Sequence, residues 1–137
     1  MQLTDYLRKI GARVTPARRS ILGAIAESSK PISADEIGVK LIKDGFEVNK
    51  TTIYRELEFL KTENLIREID FLDGRKRYEA TSYGHHHHVI CKACGGVEEL
   101  GSIPEYFINT FSRKSQFLIQ DHNLEFFGLC QSCQKEV

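Results

Sequence analysis

The sequence predicts an α+β protein. An N-terminal winged helix-turn-helix domain over residues 1–80 is followed by a hinge at residues 81–84 and a small α/β domain with a four-cysteine zinc site over residues 85–137. Two observations predict this division. All five histidines and all four cysteines of the 137-residue chain lie between His85 and Cys133, whereas helical patterns followed by two strand-like runs occupy residues 1–80. Because domains this small bury only a modest core, we expect a bound metal, a dimer interface or both to stabilise them.

Start signals mark the helices of the first domain. Thr15-Pro16 can cap and open one helix, and Ser33–Glu36 (Ser-Ala-Asp-Glu) is a capping box that opens a second. Asn49 can cap a third helix over Lys50–Leu60, whose apolar side chains recur at helical spacing. Asp73-Gly74 is a hairpin signal between two strand-like runs, which are Leu65–Phe71 and Arg75–Ala80.

This order of elements is typical of a winged helix-turn-helix domain, in which the second helix of the pair lies in the major groove of DNA. The side chains expected to face outward near the start of that helix are Lys50, Thr51, Thr52, Tyr54 and Arg55. We expect Arg13, Arg18 and Arg19 to hold phosphates, and Arg75–Arg77 to place positive charge on the wing. The alternative is a solvated helix face or a protein-interaction module, because basic side chains outnumber acidic ones only slightly in this domain.

Two Cys-x-x-Cys pairs indicate a metal site in the second domain. Cys91 and Cys94 form the first pair, Cys130 and Cys133 form the second, and Gly95 eases the turn after the first. Four thiolates at this spacing can enclose a structural Zn²⁺ ion with no open coordination position. The alternative is two independent redox pairs, which is less favoured for a chain expected to be cytoplasmic.

The histidine run just before the first cysteine pair is expected to be a strand, since Val89-Ile90 continues it. Side chains alternate along a strand, so one face would present His85 and His87 and the other His86 and His88. The first face needs further ligands, for which the candidates are His122, in an alternating run at Phe117–Phe126, and an acid such as Glu105. For the second face the candidates are Glu79 and Asp70. The alternatives are a solvated histidine run and a purely structural His122.

Taken together, these residues resemble the ferric uptake regulator family of bacterial metal-responsive repressors. The motifs that carry the resemblance are Gly11–Thr15 with Arg18, Ser33–Glu36, Thr51–Arg55, Tyr78-Glu79, His85–Cys91, Cys94-Gly95, Glu105, His122 and the Cys130/Cys133 pair. It implies a homodimer joined through the C-terminal domain, with structural Zn²⁺ at the cysteines. It also implies a regulatory divalent metal, Fe²⁺ or Zn²⁺ with Mn²⁺ a further candidate, whose ligands would be His85, His87, Glu105 and His122.

The resemblance further implies how the protein would act. Metal binding would order two winged helices to match a palindromic DNA operator, with Tyr54 and Arg55 reading bases and Arg13 reaching the minor groove or backbone. Metal-uptake genes would then be repressed when metal is plentiful. Iron is the metal most favoured, and the alternative is a zinc-uptake regulator of the same family. Whether dimers pair into tetramers is left open.

Two positions depart from the family pattern. Pro31 stands where members often have a histidine ligand of the inter-domain site, so the second site would depend on Glu79, His86 and His88, with Asp70 as a further candidate. The missing histidine also counts against the peroxide-sensing branch. The zinc-sensing branch often has a cysteine two or three residues after the position of Glu79, where this chain has Thr81 and Ser82.

Composition and motifs exclude several other classes of protein. The longest apolar or small run, Ile21–Ala26, is far shorter than the ~20 residues of a membrane helix, and the start of the chain is polar, so we expect a cytoplasmic protein without a membrane partner. No nucleophile elbow or P-loop pattern is present, and the closed zinc site offers no catalytic position. We therefore expect a non-enzyme. The rivals are a metal-dependent hydrolase and a metal-binding interaction protein without an operator.

Overall fold

The computed structural model describes residues 3–81 and 86–136, so the predictions made for His85 and for residues 82–84 of the hinge lie outside the described residues. The chain divides into two compact units, Met1–Ser82 and Tyr83–Val137. Each unit has its own three-stranded sheet, and each is described by itself below.

The first unit is mainly helical, and its small antiparallel sheet has the strand order β1-β3-β2. Its elements are α1 (Leu3–Lys9), α2 (Pro16–Glu27), β1 (Ile32–Ser33), α3 (Ala34–Lys43), α4 (Lys50–Thr62), β2 (Ile66–Asp70) and β3 (Lys76–Ala80). The three helices α2, α3 and α4, followed by the β2–β3 hairpin, confirm the predicted winged helix-turn-helix. The sequence did not predict α1 or β1, which are too short to show a periodic pattern.

The helix starts lie where the sequence predicts them. The Thr15 hydroxyl accepts a hydrogen bond from the Arg18 backbone N–H (3.1 Å), and the Asn49 side-chain oxygen accepts one from the Thr52 N–H (2.8 Å). Ser33 and Glu36 complete the capping box in both directions. Apolar faces of all four helices meet in one core, whose fully buried members are Leu7, Ile21, Ile25, Ile37, Leu41, Leu57 and Leu60.

The second unit is built on a mixed sheet with β4 in the centre. Its elements are β4 (His87–Cys91), β5 (Val97–Gly101), α5 (Glu105–Arg113), β6 (Glu125–Gly128) and α6 (Gln131–Gln134). Strand β4 pairs antiparallel with β5 and parallel with β6. The parallel pair requires a crossover, and α5 lies within it. The last two histidines of the run, His87 and His88, lie in β4, which confirms the predicted strand for that part of the run.

The predicted strand over Phe117–Phe126 is wrong for most of its length. The structure has a strand only from Glu125 onward, and residues 115–124 are irregular. The physical reason is the lack of a partner: both edges of β4 are taken by β5 and β6, and no strand within residues 86–136 pairs with residues 117–124. The alternating side chains at Phe117 and Leu118 are 83% and 84% exposed.

Within the described parts of the chain, none of the helices combines the length and the apolar character needed to cross a membrane.

Candidate metal centres and DNA-binding surface

The four cysteines converge at one end of the second unit. Cys91 ends β4, Cys94 lies in the following turn, and Cys130 and Cys133 lie at the N-cap and inside α6. The turn closes because Gly95 adopts a left-handed conformation (φ 76°) and donates its N–H to the Cys91 carbonyl (2.9 Å). The four sulfurs all lie within 4.8 Å of one another, as the sequence predicts.

The sulfur geometry suits a tetrahedral zinc ion. The Cys94 and Cys130 sulfurs are 3.8 Å apart, and ligands about 2.3 Å from a tetrahedral ion lie about 3.8 Å from one another. Four protein thiolates leave no position for substrate or water, so this centre suits structural Zn²⁺ and not catalysis.

The electrostatics of the four sulfurs also call for a cation. Backbone N–H groups, first that of Cys130, lower the pKa of Cys91 to about 6. Hydrogen bonding to the Cys130 sulfur raises the pKa of Cys133 to about 12. The protein can therefore stabilise one thiolate by its own amides but disfavours further negative charge beside it. A bound dication would remove that conflict, because it favours the deprotonated form of every ligand.

His87 and His122, two of the ligands that the resemblance implies for the regulatory metal, form a pair apart from the cysteines. The His87 Nδ1 atom lies 2.9 Å from the Leu124 carbonyl oxygen, and because a carbonyl only accepts, Nδ1 must carry the proton. Nε2 of the neutral ring then keeps its lone pair, and it lies 3.1 Å from His122 Nε2. Two nitrogens that bind one ion at 2.0–2.1 Å lie about 3.3–3.4 Å apart in a tetrahedral site and about 2.8–3.0 Å apart at a right angle, and the observed 3.1 Å falls between these values. A second-shell bond from the other ring nitrogen is the usual arrangement of a metal-ligating histidine.

The other predicted ligands of this centre are not assembled with the pair. Glu105 begins α5 and is exposed, and in residues 3–81 and 86–136 it belongs to no group of three potential ligand atoms within 4.8 Å of one another. His85 lies outside the described residues. The structure thus brings together two of the four residues that the resemblance implies.

The second pair of histidines lies on the opposite side of β4. The rings of His86 and His88 are 4.7 Å apart between centroids, whereas His87 contacts His122, which is the alternation that a strand imposes. Glu99 on β5 lies 3.7 Å from His86 Nε2. In the first unit, Glu79 is held by Arg67, whose Nε lies 2.9 Å from a Glu79 carboxylate oxygen.

Asp70 is not available as a ligand beside Glu79. It pairs with Lys76 at the far end of the hairpin, three register positions from the Arg67–Glu79 pair, which is about 10 Å along a strand. Its carboxylate accepts hydrogen bonds from the Leu72 N–H (2.8 Å) and the Lys76 ammonium (3.0 Å). These bonds, first that of Leu72, hold the pKa of Asp70 below its ordinary value. We therefore remove Asp70 from the proposed second site.

Most of the predicted DNA-contacting side chains lie on one exposed face at the start of α4. Of the five, Lys50, Thr51, Tyr54 and Arg55 are exposed and Thr52 is half-buried, while Ile53 and Leu57 turn into the core. The Lys50 Nζ atom lies 3.5 Å from the Asp35 Oδ1 atom at the start of α3 and 5.9 Å from the centre of the Tyr54 ring. Arg13, in the loop before α2, is exposed as well.

Arg18 has a different role from the phosphate contact that the sequence suggested. Its side chain is only 15% exposed and bonds Glu56 on α4 through Nε (2.7 Å). Its Nη1 donates to the Arg13 carbonyl (2.9 Å), and its guanidinium stacks on Phe59 at 3.8 Å. The Arg18 guanidinium therefore makes its contacts within the protein, and these contacts hold α2, α4 and the Arg13 loop together. Sequence reasoning missed this because the ion pair joins residues 38 positions apart, and no local pattern reports it.

Replacing Arg18 with methionine should lower the free energy of unfolding by about 2–3 kcal/mol, because Glu56 loses its charged partner in a part-buried position. Urea unfolding followed by circular dichroism would measure the change. The matched control is Arg19→Met, which removes the neighbouring exposed arginine and should shift stability by less than about 0.5 kcal/mol. Equal midpoints for the two variants would contradict the structural role of Arg18.

Comparison with known proteins agrees with this arrangement. The family model described as "Ferric uptake regulator family" matches residues 9–127. The chain belongs to the ferric uptake regulator family. Members of this family are metal-responsive, DNA-binding transcription regulators rather than enzymes.

Individual relatives of the family differ in what they respond to. The peroxide-responsive repressor PerR of Staphylococcus aureus is 31% identical over 132 residues, covering 93% of this chain and 86% of that protein. Among solved structures, the ferric uptake regulator of Helicobacter pylori superposes with a TM-score of 0.81 at 28% identity, covering 96% of this chain and 89% of that one. That of Vibrio cholerae gives 0.79 at 28% identity, with coverage of 94% and 100%. Membership in the family therefore does not determine which signal this chain responds to.

Proposed function

We propose that this chain is an iron-responsive repressor of metal-uptake genes, in which Fe²⁺ binding at His87 and His122 favours the DNA-binding form of a homodimer. The observation that carries the proposal is the His87–His122 pair, with both Nε2 atoms 3.1 Å apart and the His87 ring oriented by Leu124. This pair is separate from the cysteine cluster, so one centre can stabilise the fold while the other responds to metal supply.

The donor set allows iron as well as zinc at the regulatory centre. We propose His85 and Glu105 as the remaining ligands, which gives three imidazoles and a carboxylate. Thiolates are the softer ligands and suit zinc, whereas a nitrogen and oxygen set also accepts Fe²⁺ and Mn²⁺. We propose that zinc occupies the four-cysteine cluster and that Fe²⁺ is the ion that acts at the histidine centre, which the titrations with Zn²⁺ and Mn²⁺ described below test. We assign a weaker second site to Glu79, His86 and His88, since Pro31 supplies no further imidazole.

The homodimer would form through the aromatic face of α5. This helix has no buried residue in the chain alone, and Tyr106, Phe107 and Phe111 are 71%, 48% and 53% exposed. The apolar side chains of Phe117 and Leu118 are exposed in the same unit. A second copy is the partner that would cover such a face symmetrically, and two winged helices related by a twofold axis would match a palindromic operator.

In the complex, α4 would lie in the major groove. Tyr54 and Arg55 would read base edges, since arginine pairs with guanine and an aromatic ring contacts a thymine methyl group. Arg13, Lys50, Thr51 and Thr52 would contact phosphates or base edges beside them.

The proposal is tested by selecting duplexes from a random DNA pool with zinc-loaded protein and Fe²⁺ under anaerobic conditions. We expect a palindrome to be enriched, and its affinity to rise at least about 100-fold as buffered free Fe²⁺ is increased. Parallel titrations with Zn²⁺ and Mn²⁺ identify the metal that acts at the lowest free concentration. A response to Zn²⁺ before Fe²⁺ would instead support the zinc-uptake regulator, and loss of binding on dilute peroxide treatment would support a peroxide response. Binding that is equally tight without added metal would overturn metal sensing altogether.

A further inference from the structure

The tip of the wing, residues 71–75 between β2 and β3, contains an exposed leucine in a backbone conformation that leucine rarely adopts. Leu72 has φ 59° and is 71% exposed. Within the described residues, Asn64 is the other non-glycine residue with a positive φ, and asparagine tolerates this region far better than leucine does. Glycine would remove the strain at position 72, and Gly74 does adopt a positive φ (82°) two residues later. A strained residue that is also exposed and apolar points to a function for its side chain.

The wing tip is held in place by its own contacts. Asp70 accepts a hydrogen bond from the Leu72 N–H (2.8 Å), and Asp73 accepts one from the Arg75 N–H (3.0 Å). Arg77 donates to both Asp73 carboxylate oxygens, at 3.1 and 2.9 Å, and its guanidinium stacks 4.5 Å from the centre of the buried Phe71 ring. The tip therefore presents the Leu72 side chain to solvent from a fixed backbone.

The wing tip lies beside the DNA-contacting face of α4. A cleft of about 130 Å³ separates them, and its lining includes Tyr54 from α4, Asp35 from α3, and Gly74, Arg75 and Lys76 from the hairpin. Arg75 is exposed. Lys76 and Arg77 are paired with Asp70 and Asp73, so the exposed Arg75 is the cation that the wing tip offers to a partner. An apolar side chain and an exposed cation on one tip beside the recognition helix fit a nucleic acid duplex, because a duplex offers both sugar walls and phosphates.

We propose that Leu72 contacts the operator directly, packing against the sugars of the minor groove next to the major groove that α4 reads, while Arg75 contacts a flanking phosphate. Apolar side chains in the minor groove are an established mode of DNA contact. The proposal rests on the proposed function, since it requires a duplex bound by α4.

The test compares Leu72→Gly with the unchanged protein on the selected operator. Glycine relieves the left-handed strain, so the urea midpoint of unfolding should stay equal or rise. Loss of the side-chain contact should weaken operator binding about tenfold. Stability should therefore stay equal or rise while operator affinity falls. If Leu72 made no contact with DNA, relief of the backbone strain would leave operator affinity equal or higher. Leu72→Asn, which tolerates the conformation but is polar, should weaken binding as the glycine variant does.

Two further measurements would locate the contact between the wing tip and DNA. Hydroxyl-radical footprinting should show protected sugars in the minor groove flanking each half-site, and Leu72→Gly should lose that protection while the protection at α4 remains. Arg75→Ala should lower the salt dependence of operator binding by about two phosphate contacts per dimer, one from each copy, whereas Leu72→Gly should leave it unchanged.

Different results would refute the proposed function and the role of Leu72. If the unchanged protein enriches no duplex, the proposed function has failed. If it binds its operator and Leu72→Gly binds equally well with the same footprint, only the role of Leu72 is refuted. A change in oligomeric state on substitution would also overturn it, because the side chain would then contact a second copy.

Discussion

Replacing Cys94 with serine should unfold the C-terminal unit while the N-terminal unit keeps its structure. Among the described residues, the second unit has only two buried apolar side chains, Ile90 and Cys91, whereas all the other buried apolar side chains lie in the first unit. The sheet β5-β4-β6 therefore has almost no core of its own. Structural zinc contributes about 10–16 kcal/mol in small metal-dependent folds, which is as large as the whole stability of an ordinary domain.

Hydrogen exchange read residue by residue would measure this outcome. We expect protection to vanish along β4, β5 and β6 and to persist in α2, α3 and α4, with zinc content falling from one ion per chain to none. The control is Ser132→Ala, which changes the exposed residue beside Cys133 and should keep both zinc and protection. A zinc-free Cys94→Ser protein with full protection in β4 would contradict the structural role of the metal.

Much of this fold can be predicted from the sequence because its signals are local. Thr15, Ser33 and Asn49 each cap a helix within three residues of the groups they bond, and the Asp-Gly turn makes the wing from adjacent strands. The Cys-x-x-Cys pairs likewise report their metal through short spacing. The Phe117–Phe126 prediction failed because a strand needs a partner, and alternation along one segment does not say whether a partner exists in the same chain.

The candidate sites divide in the same way. Alternation along β4 was enough to separate His87 from His86 and His88. His122, a candidate for the His87 face, does lie beside His87, and its role as a metal ligand stays a prediction. Arg18 was misread because the ion pair with Glu56 depends on how α2 packs against α4. The sequence does not show whether an arginine is exposed or part-buried. Only the packed structure distinguishes an arginine that can contact a phosphate from one that forms an ion pair within the protein.

Replacing His122 with alanine should abolish the metal response of operator binding without unfolding the protein. The reason is that a ligand shifts a two-state equilibrium only by its differential affinity for the two forms. Moving a dimer from 1:99 to 99:1 takes about 5.5 kcal/mol, and a centre that has lost one of its imidazoles cannot supply that difference. His122 is half-buried, in an irregular segment outside the sheet, so its removal should cost little stability. We expect operator affinity at saturating Fe²⁺ to fall at least about 100-fold, toward the value of the metal-free protein.

The readouts for His122→Ala separate sensing from folding. Zinc content should remain one ion per chain, and the urea midpoint should stay within about 1 kcal/mol of the unchanged protein, which is the reverse of the Cys94→Ser outcome. Asn123→Ala is the matched control, since it alters the exposed neighbour and should keep the full metal response. His87→Ala should reproduce His122→Ala, because both Nε2 atoms are proposed to bind the same ion. If His122→Ala still binds the operator tightly and with an unchanged dependence on free Fe²⁺, then the ion that controls this repressor binds elsewhere, and the histidine pair is a structural hydrogen bond.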